Sequence, residues 1–189
     1  QALPYYMDAG FNGRRLGEEA RVPLDLFDFT SSACRNLRQS WNRAQRDGLR
    51  FEIVPQAGVA ALMPALEIIS DAWLNNHETR EKSFSLGNFS HAYVTSQPLA
   101  IVRQGERIVA FATLMLTDLR EEASVDLMRY LPDAPGSVMD FLFISLIRHF
   151  KDEGYSWFCL GMAPLSGLAI HPLASFWHKA GRQLFLRGE

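Results

Sequence analysis

A chain of 189 residues, 48% hydrophobic and 21% charged, is long enough to bury a core of its own and has the balance of an ordinary folded domain. Its formal net charge of -2 excludes a global attraction to nucleic acid or to an anionic membrane, so binding to either must use a local patch. The longest apolar run, "IVAFATLML" from Ile108 to Leu116, is too short to span a bilayer, no charged-then-apolar leader opens the chain, and the expectation is a soluble chain.

In chain order, "PYYMDAGF" and "LGEEARVPLDLF" read as two strands joined at "NGRR". Two strands are not a stable unit, so residues 1–30 are expected to be the tail of a subdomain that begins upstream. "TSSACRNLRQSWNRAQRDG" predicts a helix capped by Thr30, Ser31 or Ser32 and closed by Gly48, with residues 31–50 connecting to a main domain over 51–189. "RFEIVP" alternates as a strand. Val59–Asn76 is helical provided that Pro64 falls in its first turn. "REKSFSLGNFSHAY" reads as an ordered loop with aromatic anchors, and "PLAIVRQGERIVAFATLMLT" as two strands about a tight "QGER" turn. There follow a strand Val125–Tyr130, a nearly all-apolar helix Ser137–Asp152 and a strand within "YSWFCLGMAP". The loop "LSGLAIHP", a short helix around "SFWHKAG" and a last strand "RQLFLR" close the chain.

The order is mixed α/β. A helical crossover makes the strands Val125–Tyr130 and Trp157–Met162 parallel, while the preceding hairpin is antiparallel. An antiparallel start followed by one parallel pair is the acetyltransferase-like (GNAT) layout. No internal repeat, low-complexity tract or flexible linker interrupts it.

Several residue sets are candidates for chemistry. Asp126 and Arg129 lie on the central strand where that layout places acyl transfer. Residues three apart on a regular strand point to opposite faces, so the pair serves one site only if a bulge intervenes or the strand ends near Leu127; otherwise it is a structural ion pair. "LGMAPLSGL" ends the neighbouring strand, where open α/β sheets lodge ligands, and Gly161 and Gly167 permit close backbone approach. Ser166 lacks the G-x-S-x-G frame of an activated nucleophile. The five histidines and two cysteines show no metal-ligand spacing, and Cys34 and Cys159 read as free thiols of a reducing compartment. Arg35, Arg38 and Arg46 fall toward one face of the basic helix, which is either a solvated face or one turned to phosphates of lipid or RNA; Trp41 beside them leans toward the lipid. The turn Pro132–Gly136 is where acyl-CoA enzymes of this layout cradle a pyrophosphate. Here two prolines remove N–H donors, and Asp133 and Asp140 repel phosphate.

The strings "GEEARVPL", "LRQSWNRAQRDGLRFEI", "REKSFSLGNF", "IVAFATL", "DLMRYLPDAPGSVMDFLF" and "FCLGMAPLSGL", spread from Gly17 to Leu168, are similar to the cytosolic C-terminal domain of the bacterial phosphatidylglycerol aminoacyltransferases, the multiple peptide resistance factor family. The resemblance implies two GNAT-like subdomains in tandem and transfer of an amino acid, lysyl or alanyl, from aminoacyl-tRNA to phosphatidylglycerol. Such transfer alters membrane surface charge and resistance to cationic antimicrobials. It implies no cofactor and no metal, because the aminoacyl ester is already activated. It implies an upstream multi-helix membrane region and work at the cytoplasmic face of the bacterial inner membrane. Asp126 would act as base or hold the amino acid's ammonium, and Arg129 would meet a lipid or tRNA phosphate. Phe84, Gly87, Gly161, Met162, Ser166 and Gly167 would line the substrate site. Two departures stand out: Ser83 replaces a usual glycine, and the family's Lys-, Arg- and Trp-rich tail is expected beyond Glu189. The rival expectations are an acyl-CoA N-acyltransferase and a non-catalytic fragment that binds tRNA or lipid.

Overall fold

The computed structural model describes residues 3–12, 17–77 and 88–164. The chain divides into two compact units, residues 1–20 together with 161–189, and Arg21–Leu160. In the smaller unit, Leu3–Asp8 is a helix, α1, which corrects the expected strand. The reason is local. Pro4 suits a helix's first positions, and Gly10, at φ 87°, closes the helix from the left-handed region. The amides of Gly10 and Phe11 return to the carbonyls of Met7 and Tyr6 at 2.9 and 3.0 Å. The Phe11 ring meets Tyr6 edge-on, completing a Schellman end with its apolar contact. The "NGRR" turn falls largely outside the described residues, and residues 165–189 lie outside them altogether, with the expected final loop, helix and strand.

The elements that follow are β1 (Gly17–Pro23), α2 (Arg35–Arg46), β2 (Leu49–Val54), α3 (Gln56–Val59) and α4 (Met63–Asn76). After them come α5 (His91–Val94), β3 (Leu99–Gln104), β4 (Arg107–Leu116), β5 (Glu122–Tyr130), α6 (Val138–Asp152) and β6 (Trp157–Pro164). Pro64 sits in the first turn of α4, where its missing N–H removes no helical bond. A 3-10 turn over Ser32–Cys34 leads into α2, so Ser31 makes no side-chain cap. Gly48, at φ 76°, follows the helix as expected. Part of the expected anchored loop is helical instead: the Ser90 hydroxyl accepts from the Tyr93 amide and starts the single turn α5.

The six strands form one sheet in the order β1-β6-β5-β4-β3-β2. β2 through β5 are antiparallel neighbours, and β5 pairs with β6 in parallel from Glu122↔Trp157 to Ser124↔Cys159. Leu99–Val102 and Ile108–Leu114 are buried without alternation, as strands covered on both faces must be. One cover is α6, nearly apolar, with α2 packed on it; the other is α4, beside which α5 reaches β5 through Tyr93 and Asp126. Trp41 lies in the α2–α6 seam, 4.7 Å from the Phe141 ring and 6.0 Å from Phe29. That corrects its reading as a lipid-facing residue: its ring is occupied by packing.

One irregularity governs the centre of the sheet. Ala112 pairs with Met128 and Leu114 with Val125, so Asp126 and Leu127 together oppose Thr113. This is a β-bulge on β5. It leaves the Leu127 amide without a ladder carbonyl, and the buried Thr113 hydroxyl accepts it at 2.9 Å. Thr113→Val keeps the volume and β-propensity but strands this amide, so it should destabilise the domain by about 1–3 kcal/mol. Thr113→Ser should cost less, and urea unfolding of the two variants measures the difference.

Candidate functional site

The bulge decides whether Asp126 and Arg129 meet one site. On a regular strand their side chains would diverge; with one extra residue between them, both turn to the face covered by α4 and α5. Asp126 there accepts a short hydrogen bond from the Tyr93 hydroxyl of α5. Arg129 pairs with Phe111, whose ring meets Phe89 just before α5. Its guanidinium, 5% exposed, lies 4.3 Å over the Trp73 ring of α4. Of the two conditions on which the pair could share a site, the bulge is the one present, and it brings the two side chains to one face.

The surroundings are aromatic. Trp73 stacks on His77 at 4.1 Å, and His77 meets the Tyr130 edge at 6.4 Å. The His77 ring is held by its Nδ1, 2.8 Å from the Trp73 carbonyl. A guanidinium on an indole face retains electrostatic stabilisation where water is excluded. Burial, and then the adjoining Asp126, push the Tyr93 hydroxyl above its ordinary value, while the side chains of Gln97 and Thr113 also reach it. Tyr93 therefore stays a neutral donor that fixes Oδ2 of Asp126. The pair Ser124↔Cys159 of the parallel ladder lies two residues before Asp126, so the carboxylate is close to the seam of β5 and β6.

Among the other expected site residues, Gly161 takes φ 97°, a left-handed conformation that favours glycine, and Met162 belongs to β6. Phe84, Gly87, Ser166 and Gly167 lie outside the described residues. On α2 the three arginines differ. Arg38 is half-buried and donates from Nη1 to the carbonyls of Phe29 and Ser31 at 2.7 and 2.6 Å, anchoring the entry to the helix. Arg35 is exposed, and exposed Arg46 reaches back to the Asn42 carbonyl at 3.3 Å. Asp133 of the turn and Asp140 in the first turn of α6 are engaged as well. Arg107 pairs with Asp133 at 2.8 Å and holds its carboxyl below the usual range, and Ser40 donates to Asp140 at 2.6 Å.

Sequence reasoning missed Tyr93, Trp73, His77 and Thr113 as parts of this site. Tyr93 and Asp126 are 33 positions apart in the chain, and no local spacing joins them. Trp73 reads as one more apolar position of a helix. Thr113 alone left a signal, as the polar interruption of "IVAFATLML".

An antiparallel run of strands joined to one parallel pair, with a carboxylate and an arginine on the strand between them, is the layout of the acetyltransferase-like fold. Solved structures far apart in sequence share the fold: FemX superposes with a TM-score of 0.66 at 9% identity, and the GCN5-related N-acetyltransferase region of a fungal β-N-acetylglucosaminidase with 0.51 at 10%. Within that fold the chain belongs to the family described as "Phosphatidylglycerol lysyltransferase, C-terminal", whose profile matches residues 1–189. It is 41% identical over 176 residues to the phosphatidylglycerol lysyltransferase of Bacillus subtilis, covering 93% of this chain and 20% of that protein. It superposes on the C-terminal domain (DUF2156) of an Agrobacterium fabrum protein described as a lysylphosphatidylglycerol synthetase with a TM-score of 0.84 at 44% identity, covering 98% of this chain and 55% of that one. For L-PGS from Bacillus licheniformis the values are 0.80 and 38%, with 91% and 55% covered. The chain thus spans about a fifth of the length of the curated relatives it matches.

The raised Tyr93 hydroxyl has a consequence for pH. The neutral phenol is favoured in the folded state, so its contribution is fully present below its ordinary value of 10.0 and is lost as pH rises beyond it. Tyr93→Phe cannot ionise and should show a shallower alkaline loss of melting temperature than the unsubstituted chain. Thermal unfolding across the alkaline range, with ultraviolet phenolate titration alongside, checks this.

Proposed function

We propose that this domain carries the transfer centre of an aminoacyltransferase that moves an amino acid, lysyl or alanyl, from aminoacyl-tRNA to a hydroxyl of phosphatidylglycerol. The observation that carries this reading is the bulge, which turns Asp126 and Arg129 to one face beside Tyr93 and Trp73. Family membership and the names of the relatives support the lipid and the acyl group.

The chemistry asks little beyond positioning, because the ester of the donor is already activated. The lipid hydroxyl oxygen attacks the ester carbonyl carbon. Its proton passes to Asp126 Oδ1 while Tyr93 holds Oδ2. The tetrahedral oxyanion collapses, the bond to the ribose oxygen breaks, and the proton held by Asp126 completes the leaving hydroxyl. A carboxylate there also suits the amino acid's ammonium, and the Asp126 substitution probes both roles. Arg129 offers its guanidinium to the lipid or tRNA phosphate. With lysine as the amino acid, the product headgroup changes from net negative to net positive, which lowers the attraction of cationic antimicrobials to the membrane. The setting for this reaction is the cytoplasmic face of the bacterial inner membrane, with a transmembrane region upstream in the complete protein.

The same reading requires no coenzyme A. The turn before α6 supports it: the amides of Ala134 and Val138 donate to the carbonyls of Leu131 and Pro135, and Pro132 and Pro135 have none to offer. Arg107 balances the charge of Asp133, so the case rests on engaged and missing N–H groups more than on repulsion.

In the complete enzyme, Asp126→Asn and Arg129→Ala should each lower aminoacyl-lipid formation tenfold or more, on the order of 1.4 kcal/mol in the barrier, with little change in melting temperature. Both variants unfolding while retaining activity per folded molecule would make the pair structural. Calorimetry should detect no coenzyme A binding; specific micromolar binding would overturn the aminoacyl-ester reading. On α2, Arg35→Glu with Arg46→Glu should leave folding intact and weaken binding to tRNA or to phosphatidylglycerol vesicles. The salt slope should flatten by about one unit per lost phosphate contact. Titrating the two ligands separately identifies which phosphate the helix meets, and unchanged affinity and slope for both would mark the face as merely solvated.

A further inference from the structure

We infer that Trp73 is a positioning residue for the transfer reaction, holding the Arg129 guanidinium in the orientation the phosphate or oxyanion requires. The inference rests on the function proposed above. Three observations carry it. First, the guanidinium of a 5%-exposed Arg129 lies 4.3 Å from the indole centroid, inside the range at which a ring face attracts a cation. Second, the indole is itself fixed: it is half-buried on α4, stacks on His77 at 4.1 Å, and His77 is tied back to the Trp73 carbonyl and meets Tyr130, the residue after Arg129. Third, α4 and β5 are distant in sequence but packed against each other, and Trp73 carries that packing to Arg129.

A guanidinium is planar, with its N–H donors in that plane. Stacking on an indole fixes the plane and directs the in-plane donors away from the ring face. Arginine otherwise carries several rotatable bonds, and a misplacement of the donors by about 1 Å costs on the order of a hundredfold in rate. An aliphatic side chain in place of Trp73 fills part of the volume but exerts no attraction and sets no plane. Phenylalanine retains a smaller face with a weaker quadrupole.

The test uses the full-length enzyme with aminoacyl-tRNA and phosphatidylglycerol vesicles. Trp73→Leu should lower kcat about tenfold and Trp73→Phe about threefold, the range spanned by a desolvated cation–π contact, with melting temperature measured for each. The decisive arm is the cycle with Arg129→Ala. If Trp73 acts through Arg129, adding Trp73→Leu to Arg129→Ala should cost almost nothing further. Additive losses, or a full-activity Trp73→Leu enzyme, would overturn the inference. Should Trp73→Leu fail to fold, the Phe variant carries the same cycle. A second readout is independent of the reaction: the Arg129 guanidinium protons should be shifted upfield by the ring in nuclear magnetic resonance spectra and should move downfield in the Leu variant. Absence of that shift would refute the positioning role even if the enzyme proved to use another substrate. Conversely, an upfield-shifted Arg129 in a protein that makes no aminoacyl lipid would uphold the geometry and refute the proposed reaction.

Discussion

The hydrogen bond from the Leu127 amide to the Thr113 hydroxyl holds the centre of this domain in its working shape. β4 is buried on both faces through this stretch, so a threonine hydroxyl there needs a donor or acceptor, and a bulge on the neighbouring strand leaves one amide unpaired. Each defect satisfies the other. The extra residue on β5 changes which way the following side chains point, and Arg129 comes to the same face as Asp126. Without it the carboxylate and the guanidinium would lie on opposite sides of the sheet, one facing α5 and the other facing α6.

That face is built to hold charge away from water. Arg129 rests on Trp73, and Asp126 takes the Tyr93 proton donor, so each charged group enters the site with one partner already in place. A buried cation without compensation is costly, and the ring face supplies part of the compensation without occupying the edge of the guanidinium. The supports come from two helices that share no sequence motif with the strand. In the transfer proposed above, whose donor ester is already activated, they would preorganise the charged groups.

The opposite face shows arginine in other roles. Arg38 closes the carbonyls of Phe29 and Ser31, and Arg148 lies over the rings of Phe29 and Trp41 at 5.5 and 4.8 Å. These cations order the entry to α2 and cap an aromatic seam between α2 and α6. A cluster of arginines in sequence therefore divides, in three dimensions, into some that bind the protein itself and some that are left to solvent. The turn before α6 and the start of that helix behave similarly: Asp133 and Asp140 are acids in the sequence, and in the fold they are partners of Arg107 and Ser40.

Periodicity and punctuation were enough to place the helices around Trp41, Trp73 and Phe143, the hairpin at Gly105, the first-turn position of Pro64 and the parallel pair flanking α6. All of these follow from interactions within a few residues or from the reach of one crossover. The same local chemistry also held the signal that Leu3–Asp8 is a helix, in Pro4 and in the Gly10–Phe11 end, where an apparent alternation of apolar residues pointed to a strand. From sequence, Asp126 and Arg129 were a candidate pair with a stated geometric obstacle. Only the tertiary structure removed it, because a bulge is set by register against a neighbouring strand and here by one hydroxyl on that strand. Tyr93 and Trp73 became part of the site for the same reason: side chains from separate helices converge on β5 through packing of the whole core, and no spacing along the chain records that convergence.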